Sequence, residues 1–129
     1  MNPLYATTKK GTLGELLVQL RFLEHGVQAA PPLKDSGNDL IAIRRKVFRA
    51  VQVRTTTRDT ISRPRSSIDY HILAVVRLPR VGGRYSTQDA EVFLFSRREV
   101  PRLSQRLSDY PTHTLSEALI ERLFAERVT

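Results

Sequence analysis

Four polar residues in the first half of the sequence have types that could do chemistry together: Glu15, Asp39, Gln52 and Arg54. Any one of them, taken alone, is most simply a solvated side chain or a turn residue. Carboxylate and amide oxygens, however, are ligands that a hard cation such as Mg²⁺ prefers. Whether these residues form a site is decided by the elements that position them, above all by the register of two strands.

Asp39 and Gln52 fall on a predicted β-hairpin. Two runs rich in β-branched residues predict its strands, Asp39 to Ile43 and Val47 to Arg54. A turn centred between Arg45 and Lys46 places Asp39 directly opposite Gln52. Opposed residues share a face of the sheet with Cβ atoms about 5 Å apart, so their oxygens could bind one divalent cation. A slip of one residue would separate them.

Strand alternation places Arg54 beside Gln52. Residues two apart on a strand project to the same side, whereas Val51 and Val53 project to the other. Glu15 falls on a helix, because leucines recur at intervals of three and four residues from Thr12 to His25. Gly26 is the expected stop of that helix.

The second half of the chain completes a sheet and closes with helices. The polar stretch Thr55 to Ser67 predicts a mobile basic loop with no buried element, and an edge strand within it stays open. Two apolar runs on either side of a Gly82-Gly83 turn predict central strands, Tyr70 to Leu78 and Glu91 to Phe95. Two pairs match the spacing of a capping box in front of a helical pattern, Ser96 with Glu99 and Thr114 with Glu117. We therefore expect an α/β fold with an N-terminal helix, a four-stranded mixed sheet and C-terminal helices.

Composition limits the class of protein. A chain of 129 residues with 40% apolar content predicts one domain, residues 1–129. It has no cysteine, which excludes disulfides, thiolate metal sites and cysteine nucleophiles. No apolar run is long enough for a membrane span or a signal peptide, so we expect a cytoplasmic protein with no membrane partner.

The charge balance favours a polyanionic partner. The chain carries 21 basic and 13 acidic residues, a formal charge of +8, and 17 of the bases are arginine. Arginine's planar fork suits phosphate oxygens, and an excess of positive charge raises encounter rates with DNA or RNA. An arginine-rich genome would account for the same bias. The three histidines lack metal-ligand spacing and receive no role.

The order of these residues resembles the PD-(D/E)XK nuclease superfamily, in particular small members with a glutamine at the second acidic position. The similarity lies in a helix bearing Glu15, the run Ser36-Gly37-Asn38-Asp39-Leu40-Ile41, and the run Val51-Gln52-Val53-Arg54-Thr55. It covers the segment from Gly11 to Thr57 and, more loosely, Tyr70 to Ser96. The resemblance implies a restriction-endonuclease-like core and a Mg²⁺- or Mn²⁺-dependent DNA endonuclease, and it alone supplies the expectation of a homodimer.

The same resemblance implies a role for each residue. Asp39 is the main metal ligand, Gln52 the second, and Glu15 the helix glutamate that helps to hold metal or water. Arg54 stands where the family has a lysine. Gln52 brings no negative charge, and Arg54 is always protonated, so it can stabilise charge on a phosphate but cannot accept a proton from water.

Two groups of basic residues are expected to contact nucleic acid: Arg44, Arg45 and Lys46 in the hairpin turn, and Arg58, Arg63 and Arg65 in the following loop. A solvated turn explains the first group equally well. Two other functions stay open. The domain could have lost catalysis and serve as a DNA-binding or protein-interaction module, which Arg54 favours, or it could be an antitoxin, immunity or phage accessory protein that uses this fold.

Overall fold

The computed structural model describes residues 6–33 and 37–126. Its elements, in chain order, are α1 (Ala6–Glu24), β1 (Gln28–Ala30), β2 (Leu40–Arg44), β3 (Val47–Thr56), β4 (Ile72–Arg77), β5 (Arg80–Val81), β6 (Arg84–Tyr85), β7 (Glu91–Ser96) and α2 (Glu117–Leu123). Five strands form one sheet in the order β1-β2-β3-β4-β7, while β5 and β6 form a separate ribbon. Strands β3 and β4 are parallel and the other neighbours are antiparallel. The predicted mixed α/β fold is therefore confirmed, with one more strand in the sheet than expected.

The register of the hairpin is the one that the sequence predicts. Leu40 pairs with Val51 and Arg44 with Val47, which leaves Arg45 and Lys46 as the turn. Arg45 has a φ of 57°, in the left-handed region that two-residue hairpin turns require. Continuing the same register by one residue sets Asp39 opposite Gln52.

The end of α1 also agrees with the prediction. Gly26 has a φ of 75°, and the backbone N–H of Val27 donates to Phe22 O at 2.9 Å while that of Gly26 donates to Leu23 O at 3.1 Å. These two bonds form a Schellman motif, in which glycine takes the left-handed position at low cost. The motif turns the chain from α1 into β1. Within the described residues, no helix is long and apolar enough to cross a bilayer.

Two apolar clusters cover the two faces of the sheet. On one face, buried residues of α1 and α2, including Phe22 and Ile120, pack against Val51 and Val53 of β3. On the other face, Leu73 and other residues of β4 and β7 pack under the irregular segments that follow β3 and β7. Because both faces are covered, β3 and β4 are central strands in a largely dry environment.

The loop after β3 differs from the prediction. Strand β3 extends to Thr56, and Ile61 is buried in the second cluster, so the expectation of no buried element in this stretch is wrong. Asp59 anchors the loop by accepting hydrogen bonds from the N–H and the hydroxyl of Ser108, at 2.8 and 2.6 Å. Ile61 is the one aliphatic side chain in this hydroxyl-rich stretch, so the composition alone does not indicate that the loop packs on the sheet.

The C-terminal region also differs. Ser96 and Glu99 exchange the two hydrogen bonds of a capping box, but only a 3₁₀ turn follows. Thr114 pairs with Phe93 as an isolated bridge and does not cap a helix; the N-cap of α2 is Ser116, whose hydroxyl accepts from Leu119 N–H at 3.2 Å. Strand β7 is at the edge of the sheet, not in its centre, although its side chains are buried on both faces, by the helices on one and by irregular segments on the other.

Candidate metal centre and nucleic-acid interface

Close packing of α1 on β3 positions Glu15. A Cβ added at Gly14 would lie 1.8 Å from Oγ1 of Thr55, a distance that no side chain tolerates. Glycine at this point lets the helix backbone approach the strand directly. The next residue, Glu15, is thereby held close to β3, on the side of the sheet that carries Val51, Val53 and Thr55.

Asp39 is fixed by the strand opposite. Its Oδ2 accepts a hydrogen bond from the backbone N–H of Val53 at 2.8 Å. This bond satisfies a donor of β3 just beyond the last paired residue of β2, where the backbone ladder has ended. The other oxygen, Oδ1, accepts no hydrogen bond from the residues that the structure describes, so it remains available to a further partner.

Gln52 is the one buried polar side chain among the described residues. It is 4% exposed, and its Oε1 has no hydrogen-bond partner in the part of the chain that the structure describes. A buried acceptor left without a partner costs about 1–3 kcal/mol, and native proteins rarely leave one in place. An amide oxygen in this state fits a cation or an ordered water, and it lies on the face of the hairpin that Asp39 shares.

Glu15 completes the cluster electrostatically. Burial raises the pKa of its carboxyl above the ordinary value of 4.5, and the negative charge of Asp39 raises it further. The two carboxylates are therefore near enough to interact. Within residues 6–33 and 37–126, no three histidine, aspartate or glutamate side chains come together in a way that could hold a metal. A cation bound here would need the amide oxygen of Gln52 as a third ligand.

Arg54 lies on the same face of β3 as Gln52 and is half-buried. Its Nη1 makes only a long contact of 3.4 Å, to Val53 O. Burial raises the pKa of the nearby Tyr70 hydroxyl, while the positive charges of Arg97 and Arg54 act in the opposite direction. The guanidinium is therefore near Tyr70, and it forms no ion pair within the described part of the chain.

The six basic residues expected to contact nucleic acid divide into two situations. Arg63 is engaged internally: its Nε donates to Val100 O at 3.1 Å, and its Nη2 donates to Leu103 O. The other five side chains form no hydrogen bond or ion pair with any described residue; they are Arg44, Arg45, Lys46, Arg58 and Arg65. The first three surround the hairpin turn, and the last two lie in the loop after β3.

One residue of the candidate site escaped the sequence reasoning. Oδ1 of Asn38, beside Asp39, is also buried and has no partner within residues 6–33 and 37–126. The signal was present, since Asn38 belongs to the same short run, but an asparagine before a strand is read first as a turn residue. Ser36, which opens that run, lies outside the described residues.

Comparison with known proteins bears on the fold. No protein-family model matches the sequence, and no curated protein matches it. Among solved structures, the chain is similar to the bacterial homing endonuclease I-Ssp6803I, with a TM-score of 0.66 and 16% sequence identity over 93% of each chain. The fold is nuclease-like. At this level of identity the similarity concerns the arrangement of helices and strands, and the chemistry must be argued from the residues.

Proposed function

We propose that the protein is a metal-dependent DNA endonuclease of the PD-(D/E)XK type, which hydrolyses phosphodiester bonds. The observation that carries the proposal is the buried Oε1 of Gln52, which has no partner among the described residues and lies on the hairpin face shared with Asp39. Burial and the charge of that aspartate also raise the pKa of Glu15. A structural role alone would not favour a buried amide oxygen left without a partner on the hairpin face that carries an aspartate, on a nuclease-like fold.

Each residue has a defined part in this function. Asp39, Gln52 and Glu15 would hold Mg²⁺ or Mn²⁺, and a bound cation of this kind supplies an activated water and neutralises charge on a phosphate. Asp39 is oriented for this role by the Val53 N–H. Arg54 binds a phosphate oxygen and stabilises its developing charge, since its guanidinium donates hydrogen bonds and keeps its proton.

DNA is the proposed substrate for two reasons. The structurally similar protein is a homing endonuclease by name, and the present chain has a formal charge of +8. Five unengaged basic side chains in the hairpin turn and the loop after β3 would contact the phosphate backbone without reading sequence.

The test is cleavage of plasmid DNA by the wild type and by Asp39→Ala in Mg²⁺ or Mn²⁺. We expect the variant to lose activity by about a thousandfold or more, because groups that act as one catalytic unit fail together. Asp89→Ala, in the exposed loop before β7, is the matched control and should cleave like the wild type. A rate for Asp39→Ala within a few-fold of the wild type, with circular dichroism showing both folded, would overturn the proposal.

A second candidate function is a DNA-binding module that has lost catalysis, and Arg54 is the residue that favours it. Under this alternative, DNA binding persists in EDTA and no cleavage is found in either metal. Arg58→Gln with Arg65→Gln should then weaken binding about equally for all sequences and flatten its salt dependence. Arg63 is left intact in this test because it holds the loop. Unchanged affinity in the double variant would remove this version.

A further inference from the structure

A groove of about 1360 Å³ opens at the hairpin end of the sheet, outside the Asp39–Gln52 cluster. Its walls are the turn and first residues of β3, the two residues before β4, the segment after β7 and the end of α2. The proposed catalytic chemistry uses none of these residues. The groove is therefore a separate surface that needs its own explanation.

The groove carries an excess of positive charge. Five basic side chains and two acidic ones line it. One of the acids, Glu99, already accepts hydrogen bonds from Ser96 N–H at 2.9 Å and from Nε2 of His113 at 2.7 Å. The side chains of Lys46 and Arg98 form no hydrogen bond or ion pair with any residue that the structure describes. The charge available to a ligand is consequently cationic, which favours phosphate groups.

An aromatic ring stands among these cations. Phe48 is 60% exposed, whereas most other aromatic rings of the sheet are buried. It pairs with Ile43 in the hairpin, on the face that also carries Gln52 and Arg54. A solvent-exposed aromatic ring beside lysine and arginine is the combination that binds single-stranded nucleic acid, because bases stack on the ring while the backbone meets the charges.

The distance between Phe48 and Gln52 is short enough for one DNA strand to contact both the groove and the candidate active site. Phe48 lies four residues before Gln52 on β3, which corresponds to about 13 Å at the usual rise of a strand. One strand of B-form DNA advances about 3.4 Å per nucleotide, so this distance spans at most about four nucleotides, and fewer where the strand is unpaired and extended. The half-buried residues Ile41 and Ala50 lie between them on the same face.

We infer that this groove binds an unpaired segment of the DNA strand within about four nucleotides of the bond to be cleaved, with Phe48 stacked on a base and Lys46 and Arg98 on phosphates. The inference rests on the proposed function for its choice of DNA. It adds a preference for substrates that are single-stranded or locally opened beside the cleavage site.

Binding of a fluorescein-labelled single-stranded oligonucleotide, measured by fluorescence anisotropy in EDTA, tests this without catalysis. Phe48→Ala should weaken binding by roughly fivefold to a hundredfold, the range of a lost base stack. On an oligonucleotide with abasic sites in place of bases, the same substitution should have no effect. Val81→Ala, which removes an equally exposed apolar side chain from β5, outside the groove, is the control.

The contribution of the Lys46 and Arg98 charges is measured separately, from the salt dependence of DNA affinity. Lys46→Gln with Arg98→Gln should flatten the slope of log affinity against log salt by about 1.4, since each phosphate contact on a single strand contributes about 0.7. Arg80→Gln with Arg84→Gln, on the β5–β6 ribbon, removes the same charge elsewhere and should leave the slope nearly unchanged.

Three results would overturn the inference: no binding of single strands by the wild type, wild-type affinity in Phe48→Ala, or an equal loss for Phe48→Ala on fully paired duplex and on single strands. A result that overturns DNA binding in the groove can be distinguished from one that overturns the proposed endonuclease function. Asp39→Ala removes a negative charge and should bind the oligonucleotide no more weakly than the wild type in EDTA, so lost cleavage with intact groove binding affects only the catalytic proposal.

Discussion

The two faces of β3 are built differently. Toward α1, Val51 and Val53 are buried in apolar contacts, and Thr55 packs against the helix backbone at Gly14. Toward the other cluster, the same strand presents Gln52 with an unpartnered oxygen and Arg54 with a single long contact. The neighbouring strand β4 shows what stability alone would favour, because Ile72 to Val76 are apolar and buried on both faces. One face of β3 therefore stabilises the fold, whereas the other gives up stability in a manner typical of functional sites.

The largest expected effect concerns the polar face and leaves stability unchanged. Arg54→Ala should lower the rate of DNA cleavage by about a hundredfold to a thousandfold, because it removes a donor aimed at developing phosphate charge. Single-turnover kinetics would measure this, and thermal melting should show little change for a half-buried residue. Arg54→Lys is the matched variant and should retain part of the activity. Full activity in Arg54→Ala would remove arginine from the mechanism.

The helix face should respond in the opposite manner, through stability. Gly14→Ala forces a Cβ against Thr55 and should cost about 1–3 kcal/mol of unfolding free energy, the usual range for overpacking. Gly11→Ala is the control in the same helix, where a Cβ meets nothing within 4 Å, and it should stabilise by roughly 0.5–1 kcal/mol. Urea unfolding would measure both. Equal effects of the two substitutions would show that α1 does not approach β3 as closely as described.

The loss of unfolding free energy caused by the buried amide of Gln52 can be measured directly with Gln52→Leu. Leucine removes the unpartnered oxygen and adds apolar surface beside Leu73, so we expect a gain of about 1–2 kcal/mol in unfolding free energy together with loss of metal binding. Gln52→Glu is the companion variant, which should bind metal more tightly and fold less stably without it. A loss of stability in Gln52→Leu would mean that the amide has an internal partner.

The smallest effect is a pH dependence at Glu15. Because the folded protein raises the pKa of this carboxyl above 4.5, ionisation opposes folding, and stability is lost as the pH rises through the folded pKa. Glu15→Gln should thus stabilise the protein at pH 7, by less than about 1 kcal/mol for a half-exposed group, and have no such benefit below pH 4.5. Thermal melting at the two pH values would show it. A gain that is equal at both would point to a cause other than charge.

The hairpin could be derived from the sequence because its determinants are local. A basic two-residue turn fixes the register, and the register alone brings Asp39 opposite Gln52. The end of α1 at Gly26 is equally local. In contrast, the approach of Glu15 to Asp39 depends on the contact of Gly14 with Thr55, which are far apart in the chain, and no pattern in the sequence specifies that contact.

Long-range contacts also explain the errors. The composition of the loop after β3 predicts a solvated segment. The structure packs it on the sheet through Ile61 and through the hydrogen bond from Ser108 to Asp59, a contact that is distant in the sequence. Thr114 has the spacing of a helix cap, but its pairing with Phe93 holds it in extended structure and leaves capping to Ser116. In the same way, the groove at Phe48 is assembled from four separate segments, and none of them is distinctive alone.

The central claim is that Asp39, Gln52 and Glu15 bind one divalent cation, and isothermal titration tests it most directly. Mg²⁺ and Mn²⁺ would be titrated into the wild-type protein and into Asp39→Ala, with and without DNA. The account expects binding to the wild type that disappears in the variant. Absence of binding to the wild type even with DNA present, or undiminished binding to Asp39→Ala, would contradict it.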